Sequence, residues 1–62
     1  MTQDEIRQTA MRALNDMARA DTMLQKSHRE SIPSVAKLLK EHSAVLYRSA
    51  VLTLKDAVSK LT

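Results

Sequence analysis

Sixty-two residues make one domain at most, and a chain this short buries only about 60% of the surface it exposes when unfolded. Cysteine is absent, which excludes disulfides and thiolate metal sites and fits a reducing compartment, so the thin core must be supplemented by oligomerisation, a bound partner or very regular helix packing. The net charge of +3, with ten basic residues interleaved among seven acidic ones, permits weak attraction to nucleic acid without demanding it.

The opening "MTQDEIRQT" lacks the apolar centre of a signal peptide, and no later stretch reaches about 18 uninterrupted apolar residues. A cytoplasmic location with no membrane contact is therefore expected. Glycine is missing and Pro33 is the only proline, so helix is favoured nearly everywhere outside the middle of the chain. A first helix is predicted over about 3–28. Thr2 followed by Glu5 forms a capping box, with Asp4 adding favourable charge at the positive end of the helix. Ile6, Ala10, Ala13, Met17, Ala20 and Leu24 then alternate by four and three, a heptad seam. Lys26, His28 and Arg29 stand where cations suit a helix C-terminus.

"SHRESIPS" is the predicted turn, over about 29–32, with Ser31 expected to cap the next helix and Pro33 tolerated in its first turn. The second helix is predicted over 33–61, with an inner stripe of Val35, Leu39, His42, Leu46, Ala50, Leu54, Ala57 and Leu61. Leu38, Val45, Leu52 and Val58 flank that stripe. Its densest part, "AVLYRSAVLTLKDAV", holds ten apolar residues in fifteen, yet Arg48, Lys55 and Asp56 rule out a membrane span. Similar helix lengths and a short turn predict an all-α antiparallel hairpin. The first helix offers mostly Ala and Met, too little to cover the wide face of the second, so pairing of two hairpins into a four-helix bundle is expected. A helical protein partner would cover the face equally well. Leu38, Val45, Leu46, Val51, Leu52, Leu54 and Val58, with Met11 and Met23 from the first helix, are the expected protein interface.

Polar residues on these faces are read next. His42 on the inner stripe, with Ser49 one heptad later, is expected to fix register or oligomeric state. A metal role needs companions, and His28 cannot serve, because it faces the start of the second helix while His42 lies two turns further on. Glu41, His42 and Ser43 adjoin in sequence, but consecutive helical residues point about 100° apart and do not face one another. No catalytic group, cofactor site or small-molecule substrate is expected. Arg12, Arg19 and Lys26 recur every seventh residue and line up along one side of the first helix, a row able to follow a phosphate backbone, although Asp16 would weaken its field. Tyr47 is the only aromatic residue, and base stacking normally takes more than one.

The opening "MT" with Glu5, the length, the hairpin layout and "LYRS" (Leu46 to Ser49) together resemble the Rop family, bacterial plasmid proteins that form antiparallel four-helix-bundle dimers. The resemblance implies binding of paired RNA stem-loops through a polar and basic face of the first helix, where Arg12, Arg19 and Lys26 correspond by face. The "MTQ" start, the turn proline and the aliphatic second helix are also similar in layout to the small helical-hairpin cochaperones of type III secretion needles. That similarity implies a chaperone-like role with a larger protein partner. The expected function is non-enzymatic: an adaptor, regulator or chaperone-like module acting through the apolar face of the second helix, with RNA binding as the alternative.

Overall fold

The computed structural model describes residues 2–61; Met1, part of the "MTQ" opening, lies outside them. Two helices make up the fold: α1 over Gln3–Arg29 and α2 over Pro33–Leu61. They lie side by side as an antiparallel hairpin 45 Å long and 13 Å across, a length set by α2 alone, since 29 residues at 1.5 Å each span about 43 Å.

The start of α1 shows the threonine half of the expected capping box. Thr2 is extended, its Oγ1 accepts from the Glu5 N–H at 3.2 Å, and its carbonyl accepts from the Ile6 N–H at 3.1 Å. Asp4 and Glu5 occupy the first turn and Lys26 and Arg29 the last, each opposite in sign to the helix end it sits on.

The connection from Glu30 to Ile32 is made without glycine and without a residue of positive φ among the described residues. Instead Glu30 ends α1 in an extended conformation, and its carboxylate accepts from the Ile32 N–H at 3.2 Å. Ile32, not Ser31, is the capping position of α2: its carbonyl accepts the first intrahelical bond, from the Ala36 N–H at 3.0 Å. Steric pressure from Pro33 keeps the residue before it out of the helical region, which moves the boundary one position past the serine.

The contact between the helices is built from small side chains. Ile6, Ala13, Ala20 and Ser27 are buried on α1, and Ser43, Ala50 and Ala57 on α2, every one at a spacing of seven. An antiparallel pair turning at 30–32 brings Ala13 to the level of Ala50 and Ala20 to that of Ser43. Alanine opposite alanine lets the backbones approach closely. The buried hydroxyls do not bridge the helices: Ser27 donates to the Leu24 carbonyl and Ser43 to the Lys40 carbonyl at 2.8 Å, each within its own helix. They act as slightly larger alanines.

On α1 the buried Ile6, Ala13 and Ala20 are members of the expected seam, and Ser27, which was not, continues it one heptad further. On α2 Ala50 and Ala57 of the expected stripe are buried, but one heptad earlier the buried residue is Ser43, and His42 is exposed. The reason is steric. A stripe centred on His42, Leu46 and Leu54 would hold the helices apart and strand Ala13 and Ala20 in a gap, whereas one centred on Ser43, Ala50 and Ala57 closes it. Leu39, Leu46 and Leu54 become half-buried flanks.

Ala20→Leu should therefore destabilise the hairpin by about 1–3 kcal/mol through overpacking. Ser43→Ala, which removes only a locally satisfied hydroxyl, should change stability by less than about 0.5 kcal/mol. Urea unfolding of both variants at one fixed protein concentration checks the contrast.

Candidate functional site

The helical seam divides the surface of the hairpin into two broad sides and two outer edges. One side carries a groove of about 480 Å³ between the helices, with Ala20 and Ser43 at its floor and Leu24, Ala44 and Tyr47 in its walls. Asp21, Lys40 and Arg48 stand around the same opening. Heptad spacing continues this side toward the open end of the hairpin. On α1 it is followed by Met17, Leu14, Ala10 and Arg7, and on α2 by Val51, Leu54, Val58 and Leu61. Leu14, Val58 and Leu61 are each about half exposed, at 52, 49 and 48%.

The single apolar face expected on the second helix is thus two strips. Val51, Leu54 and Val58 belong to the groove side. Leu38, Val45 and Leu52 lie every seventh residue along the edge of α2 turned away from α1, exposed by 66, 70 and 61%. Ala44, Val45, Arg48, Ser49 and Leu52 line a smaller depression there, of about 360 Å³. Leu46 is half-buried on the opposite flank of the seam from Leu54. Met11 is exposed on the outer edge of α1, and Met23 is half-buried on the side opposite the groove.

Several groove residues escaped the sequence reading. Leu14 falls off the seam, and its signal is the seven-residue series Arg7, Leu14, Asp21, which puts one aliphatic residue between two opposite charges. Tyr47, weighed there only as a base-stacking group, stands in the groove wall on the same opening as Leu24.

Arg12, Arg19 and Lys26 line up on α1 as their spacing implies, on the side opposite the groove. Arg19 and Lys26 border a shallow depression with Ala18, Thr22 and Met23. Asp16 does blunt the row, pairing with Arg19 at 3.6 Å in a solvated contact of little energetic weight. His42 and Ser49 are exposed, Ser49 in the depression on the outer edge of α2.

Among the described residues no three His, Cys, Asp or Glu side chains gather as a metal site would require, and no helix is long and apolar enough to cross a membrane. Every buried side-chain nitrogen and oxygen among them has a hydrogen-bond partner, so no orphaned polar atom points at a missing ligand. The arrangement defines a two-helix hairpin with exposed apolar strips. No family model matches the chain, nor does any curated protein or any solved structure.

Exposure of His42 has a measurable consequence. His42→Leu should leave the thermal midpoint and the sedimentation coefficient unchanged, the stability shift staying within about 0.5 kcal/mol. A clear gain in stability or a change in mass would return His42 to an interface and to the register role expected of it.

Proposed function

We propose that this chain is a non-enzymatic helix-association module that works as a homodimer, two hairpins closing their groove sides on each other as a four-helix bundle. One observation carries the reading. A folded monomer of 7.0 kDa exposes about 4,000 Å² by the scaling of surface with mass. This hairpin exposes 4958 Å². The difference of about 900 Å² is close to what each partner covers in a standard interface, about 800 Å².

The energetics support the same reading. Ile6 is the only large aliphatic residue among the buried core positions, and no large side chain is fully buried among the described residues. Cores in this size range rarely supply more than about 3–5 kcal/mol, and one made of alanine and serine supplies less. Covering Leu14, Met17, Tyr47, Val51, Leu54 and Val58 with a second copy adds the missing apolar burial. The function that follows is that of an adaptor or regulator, whose exposed Leu38, Val45 and Leu52 strip stays open on the outer edge of such a dimer.

A second reading, RNA binding, is favoured by one feature. The Arg12, Arg19 and Lys26 row lies on the side that the groove-to-groove dimer leaves in solvent, where two copies of it would face outward.

The two readings separate experimentally. Association through the groove side should make melting depend on protein concentration, because folding and assembly are linked. Leu54→Ala should destabilise the assembly by about 2–4 kcal/mol, and Val51→Asp should dissociate it by forcing a charge into an apolar contact. A stable melt independent of concentration would rule the dimer out. RNA binding, by contrast, should weaken steeply with salt and be lost on replacing both Arg12 and Arg19 by glutamine, changes that leave the fold and the dimer intact.

A further inference from the structure

We propose that the outer edge of α2 is a docking seam for one amphipathic helix of a second protein, a helix whose apolar side chains seat between Leu38, Val45 and Leu52 and whose carboxylates face Lys37, Arg48 and Lys55. This rests on the adaptor part of the reading above and names its partner. It holds for the hairpin with or without a second copy on the groove side.

The shape of the edge comes first. Leu38, Val45 and Leu52 are exposed and spaced by seven, so they form a line of two steps, each about 10 Å. Val45, Arg48, Ser49 and Leu52 stand at positions i, i+3, i+4 and i+7 and line one depression. Four residues in that relation make the hole that receives a side chain of a facing helix. Leu38, Glu41, His42 and Val45 repeat the pattern one heptad earlier. Two holes in series at this spacing match successive apolar side chains on one face of a single helix.

Charge selects the helix. Glu41, Arg48 and Lys55 recur every seventh residue along the flank of the strip nearer the groove, and Arg48 lines both openings. Lys37 lies on the same flank, about five full turns before Lys55. Three cations against one carboxylate leave that flank an excess of positive charge, and no ion pair among the described residues occupies Lys37, Arg48 or Lys55. On the other flank Asp56 is already paired with Lys60 at 3.0 Å. Carboxylates opposite the basic flank are therefore the complement it lacks. A second copy laid antiparallel on this edge would set the basic flank against itself. A lipid surface fits less well, because the apolar line is one residue wide and Glu41 and Asp56 beside it would meet anionic headgroups.

The probe is a labelled peptide of about three heptads, with leucine at the core positions and glutamate on the flanks, beside a matched peptide carrying lysine for glutamate. So short a seam should bind the glutamate peptide with a dissociation constant on the order of tens of micromolar by fluorescence anisotropy, since contacts below about 1,200 Å² are weak. The lysine peptide should bind at least about tenfold more weakly. Val45→Asp should abolish binding, and Lys37→Glu with Lys55→Glu should reverse the preference between the two peptides. All three positions are exposed, so circular dichroism should show unchanged helix content. Equal binding of the two peptides, no binding of the glutamate peptide, or wild-type affinity in Val45→Asp would overturn the inference. Cosedimentation with phosphatidylglycerol vesicles that Val45→Asp removes would overturn it in favour of a lipid surface, and a dimer dissociated by Val45→Asp would put a second copy there instead. Sedimentation equilibrium of the wild type separates this inference from the homodimer: a monomer that binds the peptide through Val45 loses the dimer and keeps the seam, and a dimer that binds neither peptide keeps the dimer and loses the seam.

Discussion

Everything in this structure depends on how closely two helix backbones approach. Ala13, Ala20, Ala50 and Ala57, with Ser27 and Ser43, occupy the seam, and their small side chains bring α1 and α2 together along a rod only 13 Å thick. Close approach improves dispersion contacts between backbones, but it excludes the large residues from the centre. Leucine, methionine and tyrosine are displaced to the flanks, where one chain alone covers them only in part. A seam built this way makes a well-registered pair and a poor core in the same stroke.

That displacement explains the surface. The apolar residues of the groove side are the side chains that a wider hairpin would have buried between its own helices. Put outside, they leave much of the apolar surface of the hairpin in solvent. The polar hydroxyls fit the same logic. Ser27 and Ser43 bond to carbonyls of their own helices, so neither demands a partner across the seam and neither dictates which molecule comes next. The charge near the groove lies at its rim, where Asp21, Lys40 and Arg48 surround the opening.

The sequence was legible where side-chain size and spacing pointed the same way. On α1 the heptad of Ile6, Ala13 and Ala20 is both regular and small, and it is buried as read. On α2 the two criteria conflicted. Apolar weight favoured a stripe that ran through His42, Leu46 and Leu54 as well as Ala50 and Ala57, while packing against the alanines of α1 required Ser43 with Ala50 and Ala57, and packing prevailed. The error is a single residue, yet about 100° of rotation separates His42 from Ser43, enough to move a histidine from an assumed interior into solvent. The groove was harder to foresee, because it exists only where Ala20 and Ser43 of different helices come level. Leu14 belongs to neither seam in the linear pattern. The boundary at Ile32 was hidden for a similar reason: serine is the better capping residue in isolation, but the proline after Ile32 decides where the helical region begins.

Pro33 has a wider role than setting that boundary. Glu30, Ser31 and Ile32 would all be tolerated in a helix, and a chain without glycine has little else to prevent α1 from running on into α2 as one straight rod. Such a rod could exchange its halves with a neighbour and propagate into open-ended chains of swapped molecules. A proline at this place has no N–H to offer the Arg29 carbonyl and its ring collides with that turn, so the uninterrupted rod is penalised by about 3 kcal/mol. The imino ring at the bend thereby favours the hairpin over the straight rod.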